Sequence, residues 1–175
     1  KEAKQGNKVI VVVSAMAGVT NNLIELVKSI SETPSYSEYD VVVSTGEQVT
    51  SALLAIALEN LNIKARSWLG WQVPIISDKS YGKAIIENIK TDQILEFFKK
   101  NQVAIISGFQ GVSDENRITT LGRGGSDTSA VAIAASFSAD RCDIYTDVDG
   151  VYTTDPRIVK KAKKLDIITY EEIAK

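Results

Sequence analysis

Residues 8–14 read K-V-I-V-V-V-S, in which Val9 to Val13 are an unbroken apolar run, every member of it β-branched. β-Branched side chains favour extended backbone, and a strand with no polar alternation needs cover on both faces. Antiparallel sheets usually leave one face to water, so the run points to a parallel sheet flanked by helices. The residues after it agree. S-A-M-A-G-V-T-N-N is a small-residue turn, and Leu23, Ile24, Leu26, Val27 and Ile30 follow at helical spacing, with Asn22 and Glu25 at capping-box distance. Strand, glycine-containing loop and helix form half of a βαβ unit, whose ligands bind at the carboxyl ends of the strands. Thr20 stands at that end, as a helix cap or as a ligand contact.

The rest of the chain continues the alternation. Ser31 to Tyr39 is a polar loop around Pro34, and Val41 to Val43 suits a strand or a buried helix equally. Glu47 to Leu61 is a helix. Glu47, following S-T-G, is placed to aim a carboxylate into a site, or simply to complement the dipole of a first turn. Ala65 to Leu69 and Val73 to Ile76 read as short strands broken by Gly70, with Trp68 and Trp71 covering core edges. Asp92 to Lys100 reads as a helix with Leu95, Phe97 and Phe98 inward, and Val103 to Ser107 as a buried strand. S-D-E-N, residues 113–116, looks like a hairpin tip. Arg141 to Thr146 is the last expected strand, Lys160 to Lys164 a solvated face, and a final helix is expected near Tyr170. Such alternation predicts an α/β fold, a three-layer αβα sandwich with a largely parallel central sheet.

Thr119 to Ala130, T-T-L-G-R-G-G-S-D-T-S-A, combines Gly122, Gly124 and Gly125 with Arg123, Ser126 and Asp127 before an alanine-rich helix. Glycines let backbone amides approach a ligand, and the unpaired amides of a helix's first turn attract anions. The stretch therefore reads as an anion site containing an arginine. The alternative is a plain turn in which Ser126 or Asp127 caps the helix and Arg123 lies in solvent. Two nucleotide loops fail on spacing: Asp127 stands where G-x-G-x-x-G needs its last glycine, and G-x-x-x-x-G-K-[ST] is absent. D-V-D-G, residues 147–150, also fails as a calcium loop, because Tyr145 and Pro156 would occupy its first and twelfth positions. That segment reads better as a loop after a strand. Its Asp147, Tyr152 and Arg157 can accept hydrogen bonds, stack on a base and hold a phosphate, a plain surface turn being the alternative.

Composition narrows the function classes. A net charge of -2 gives no basic excess for nucleic acid, and no stretch of 18 consecutive apolar residues suggests a membrane span. The start, K-E-A-K-Q-G-N-K, has no apolar signal core. A single cysteine, Cys142, excludes an internal disulfide, suits a reducing cytoplasm and is expected to be a small buried hydrophobe. Histidine is absent, so proton chemistry falls to Asp, Glu, Lys or Tyr.

S-A-M-A-G-V-T-N, S-T-G-E, G-F-Q-G, T-T-L-G-R-G-G-S-D and Y-T-D-V-D-G-V-Y-T-T-D-P-R, in this order, resemble the catalytic domain of aspartate kinases in the amino-acid kinase family. The resemblance covers nearly all of residues 1–175 and implies the carbamate kinase-like αβα fold. It implies transfer of the γ-phosphoryl group of ATP, with Mg²⁺, to the side-chain carboxylate of L-aspartate, the first step toward lysine, threonine and methionine. Thr20, Glu47, Phe109, Arg123, Ser126 and Asp127 would hold aspartate, with Arg123 and Asp127 nearest the chemistry. Arg123 would fork a carboxylate, and Glu47 with Asp127 would receive the α-ammonium. Thr146, Asp147, Tyr152 and Arg157 would bind ATP. The family's K-F-G-G-T-S strand and loop, whose lysine reaches the transferring phosphate, would precede residue 1, leaving an open sheet edge. A later lysine and regulatory domains would follow residue 175, and the protein would act as a homo-oligomer or with those domains. Rival readings are another kinase of the same family, for N-acetylglutamate, glutamate or a nucleoside monophosphate, and a binding module of this fold without turnover.

Overall fold

The β-branched run forms strand β1 (Val9–Val13), one of three parallel strands with β2 (Ala65–Trp68) and β5 (Val103–Ser107), in the order β1-β5-β2. A computed structural model describes residues 1–100, 102–122, 124–146, 152–153 and 159–164. It divides into two compact units, Lys1–Cys142 and Asp143–Lys175. β5 is central and every residue of it is buried, whereas β1 is an outer strand and its residues are only half-buried.

Alternation along the strands divides the first unit into layers. Val9, Val11, Val13, Val103, Ile105 and Ala65 face helix α3 (Thr45–Asn60) through Leu54, Ala55 and Leu58. The intervening Ile10, Val12, Ala104 and Ile106 face the other way, onto Ile94 and Phe98, and onto Ile133 of helix α5 (Gly125–Ser136). A helical layer on each face of a parallel sheet is the αβα sandwich expected from the residue pattern.

A second sheet is mixed. β3 (Ile75–Ser77) pairs antiparallel with β4 (Ile86–Ile89) and parallel with β6 (Gln110–Val112), and β6 forms an antiparallel hairpin with β7 (Ile118–Thr120). The expected tip at residues 113–116 joins that hairpin, closed by the Arg117 carbonyl accepting the Ser113 N–H at 2.9 Å. Gly70 lies in a turn where its carbonyl accepts the Ile75 N–H, so β2 and β3 enter different sheets rather than one interrupted strand.

Several local expectations are corrected. Helix α1 (Val19–Ile30) starts at Gly18 without a side-chain cap, so Asn22 and Glu25 form no capping box; Glu25 pairs instead with Lys28 at 3.0 Å. Helix α2 (Tyr36–Val43) takes the end of the supposed polar loop, and Val41 to Val43 are helical. In helix α4 (Asp92–Phe97) Ile94 is buried in place of Leu95, which is exposed, while Phe97 and, just after the helix, Phe98 pack inward as expected. Trp68 is buried but Trp71 is half-exposed, and Cys142 is exposed rather than buried. Residues 141–146 form no strand and are exposed. The helix expected near Tyr170 lies outside the described residues.

The 25 residues Tyr36–Asn60 make one nearly continuous helical run, long and apolar enough by composition to cross a bilayer. The run also carries Glu38, Asp40, Glu47 and Glu59, and one face of it covers the parallel sheet.

Candidate functional site

At the carboxyl end of β1 the chain turns through Ser14 and Ala15, and these residues open a cleft of about 290 Å³ with Thr20, Glu47, Phe109, Gly122, Gly124, Gly125, Ser126 and Asp127. This is where a parallel sheet places its ligands, since the strand ends and helix N-termini converge there. Five residues expected to contact substrate, Thr20, Glu47, Phe109, Ser126 and Asp127, are brought together around it. Arg123 lies outside the described residues.

Glu47 occupies the first turn of α3 and is only 3% exposed. Its Oε1 accepts the Ala15 N–H at 3.0 Å, while its Oε2 is buried with no hydrogen-bond partner among the described residues. Burial pushes the carboxyl above its ordinary value, with the Ala15 amide opposing the shift. A buried carboxylate oxygen without a donor is costly, and a cationic ligand group in the cleft would supply one. The backbone beneath it is held from the sheet: Ser107 of β5 donates its hydroxyl to the Glu47 carbonyl at 3.3 Å and hydrogen-bonds the Ser51 hydroxyl at 2.9 Å.

The opposite wall has the other polarity. Gly124 is the N-cap of α5 in a left-handed conformation, and neither Ser126 nor Asp127 caps the helix with its side chain. The first-turn amides therefore carry the anion-attracting end of a three-turn helix. Gly125 cannot be larger, because a side-chain carbon there would stand 2.7 Å from Phe109 Cδ2. Phe109 itself has a positive φ of 65°, unusual for an aromatic residue. It is held there because its N–H donates to Ser129 Oγ at 3.0 Å and its carbonyl accepts the Leu121 N–H at 2.9 Å. Thr20 lies in the first turn of α1, within the helix rather than capping it.

Sequence reasoning missed Ser14 and Ala15, whose place in the cleft follows from the end of β1, and Gln110. Gln110 is buried, and its Nε2 donates to the Ser44 carbonyl at 3.0 Å, fixing the junction from which α3 and Glu47 start. Only its neighbour Phe109, in the same G-F-Q-G, had been singled out.

The second unit contains the nucleotide candidates. Thr146 is exposed, and Tyr152 forms an antiparallel bridge with Lys164 beside a Thr153 N–H donated to the Lys163 carbonyl at 2.9 Å. Asp147 and Arg157 lie outside the described residues.

A cleft with an unsatisfied acid on one side and a helix N-terminus on the other suits a small zwitterion, and comparison with known proteins gives it a family. The model of the amino acid kinase family matches residues 1–175. The aspartokinase of Rickettsia bellii (strain RML369-C) is 53% identical over an aligned length of 175, covering 98% of this chain and 43% of that protein. Among solved structures, Escherichia coli aspartokinase III in complex with aspartate and ADP superposes with a TM-score of 0.77 at 27% identity, covering 90% of this chain and 46% of that one. Aspartate kinase from Synechocystis superposes with a TM-score of 0.72 at 45% identity, covering 91% of this chain and 26% of that one. The chain thus spans under half the length of these relatives. With a match along its whole length and more than half of its residues shared with an aspartokinase, the chain belongs to the amino acid kinase family.

Proposed function

We propose that this chain contributes the amino-acid-binding cleft of an aspartate kinase, which transfers the γ-phosphoryl group of ATP to the side-chain carboxylate of L-aspartate. The observation that carries the reading is the buried Oε2 of Glu47 at the cleft, which has no hydrogen-bond partner among the described residues. An α-ammonium would donate to it and place positive charge against a carboxylate that burial otherwise disfavours. Asp127 lines the same cleft and would share that ammonium. Ser126 and the first-turn amides of α5 would face the substrate's carboxylates, with Arg123 forking one of them.

The nucleophile needs no base, since a side-chain carboxylate with pKa about 3.9 is ionised at neutral pH. The remaining task is to bring that anion against a triphosphate, which is done by positioning and by fixed positive groups. Thr146, Asp147, Tyr152 and Arg157 are the proposed nucleotide contacts. The ADP and aspartate named for the E. coli relative support this pairing of ligands. Mg²⁺ would supply charge neutralisation on the phosphates. Among the described residues no three or more acids or thiols cluster to hold an ion.

The test is ATP-dependent ADP release by protein expressed from the full reading frame and offered aspartate, glutamate, N-acetylglutamate and UMP, with hydroxylamine trapping the acyl phosphate of the three carboxylate acceptors. Aspartate is expected to react best. N-Acetylglutamate has no ammonium and would leave Glu47 unsatisfied, so preference for it over aspartate would overturn the reading.

A further inference from the structure

Asp40, near the end of α2, is fully buried, and among the described residues no lysine or arginine pairs with it. Its partners are donors of another kind: Oδ2 accepts the N–H of Gly82 at 2.9 Å and of Thr120 at 2.8 Å, and Oδ1 accepts the Thr120 hydroxyl at 2.7 Å. One acceptor-only group thereby joins α2, the loop before β4 and the end of β7. The bonds continue toward the cleft. The Thr120 carbonyl accepts the Ala84 N–H at 2.8 Å, the next residue's N–H donates to Phe109, and the Gly122 carbonyl accepts the Gly125 N–H at 3.1 Å. Gly122 in turn lies against the tethered loop, where a side-chain carbon on it would stand 3.3 Å from the Gly82 carbonyl oxygen.

We propose that Asp40 is a positioning residue for the substrate cleft: by gripping the Gly82 and Thr120 amides it sets the wall formed by Gly122, Gly124 and Gly125. Asp40 is absent from that cleft's lining, so it acts through the backbone and not by touching substrate. The inference rests on the proposed use of the cleft for aspartate, and its effect is confined to the amino-acid substrate. A carboxylate that only stabilised the fold would alter use of both substrates together. One that sets this wall raises KM for aspartate and spares KM for ATP, because neither Thr146 nor Tyr152, the described nucleotide candidates, lines this cleft.

The experiment compares Asp40→Asn, Asp40→Ala and Thr120→Val with wild type, all expressed from the full reading frame. Asparagine keeps one oxygen for the two amides and turns its NH₂ toward the Thr120 hydroxyl, so it folds and loses part of the grip. The expected aspartate KM rises about threefold to tenfold in Asp40→Asn, more in Asp40→Ala, and about twofold in Thr120→Val, with ATP KM within about twofold of wild type. Hydrogen exchange supplies a readout that needs no substrate. In Asp40→Asn, peptides spanning 79–86 and 118–128 should exchange about tenfold faster while 103–107 stays protected. Unchanged exchange in both peptides overturns the positioning role even if the protein acts on a different substrate. Faster exchange with an unchanged aspartate KM, or an equal rise in both KM values, overturns the link to the cleft. If Asp40→Ala fails to fold, Asp40→Asn and Thr120→Val decide the matter.

Discussion

Asp40 and Glu47 lie on one helical run, both buried, both with carboxyls pushed above their ordinary values by burial, yet their surroundings differ. Around Asp40 the protein provides two amides and a hydroxyl, and nothing is left for a ligand to add. Around Glu47 it provides the Ala15 amide and the residue's own backbone N–H, and leaves Oε2 at a cleft without a hydrogen-bond partner among the described residues. Burial and a displaced pKa are common to both, so neither property distinguishes a ligand contact from an internal fastening. The donor inventory does, because a buried acceptor needs its partners from the protein or from whatever binds.

That contrast breaks most readily at Asp40. Replacement by alanine leaves the buried amide and hydroxyl of Thr120 and the part-buried amide of Gly82 without an acceptor, and about 3 to 4 kcal/mol of stability should be lost. Urea unfolding measures it, and a loss near that of an ordinary surface change would mean that water replaces the carboxylate at no cost. Glu47→Gln should behave in the opposite sense. It removes a buried charge and so should not lower the melting temperature, while kcat/KM for aspartate falls by about 2 to 3 kcal/mol. An early-melting variant with normal aspartate kinetics would make Glu47 the structural acid of the two.

A smaller effect sharpens the Glu47 side. A methyl on Gly46 would stand 2.8 Å from Ala15 Cβ, forcing apart α3 and the turn whose amide holds Glu47. Gly46→Ala should cost about 1 to 3 kcal/mol of stability and weaken aspartate use. Unchanged thermal unfolding and kinetics would show that the turn shifts freely. The smallest effect is on the pH dependence of stability. Both carboxyls are raised, from ordinary values of 3.8 for Asp40 and 4.5 for Glu47, so the folded chain binds their protons more tightly than the unfolded chain does. Their contribution to stability is complete below those values and declines as pH rises through the displaced ones. The decline should be shallower in Glu47→Gln and shallower again in wild type saturated with aspartate, by denaturant titration across that window. Aspartate leaving the profile untouched would argue that Glu47 receives no ammonium.

What could be read without coordinates divides along similar lines. β1, β5 and the helix after Glu47 were legible because each carries its own pattern: a β-branched run, a buried apolar run, and helical spacing with good helix formers. The 86–89 strand was not, because I-E-N-I pairs with β3 across a turn and carries little signal of its own. Arg141 to Thr146 looked like a strand by composition, yet it is exposed and forms none. Leu95 and Ile94 are both apolar, and only the packing against the parallel sheet selected Ile94 for the inside. Within the cleft, the glycine stretch stood out by residue type, Thr20 and Glu47 could be read from their positions only as a cap or first-turn acid or as a ligand contact, and Phe109 gained a role only through the ordered motifs of the resemblance.

The sequence by itself determined the layered α/β plan, the glycine turn before α5 and the family, since these depend on local spacing and on residues read in order. Only the tertiary structure decided which acids are satisfied. Asp40 meets Thr120 across 80 residues of chain, Glu47 meets Ala15 across 32, and Gln110 reaches the Ser44 carbonyl across 66. Such contacts leave no trace in local periodicity, because the chain's neighbours in space are set by sheet order and not by sequence. That Glu47 Oε2 has no partner among the described residues becomes visible only when the chain segments around it are placed.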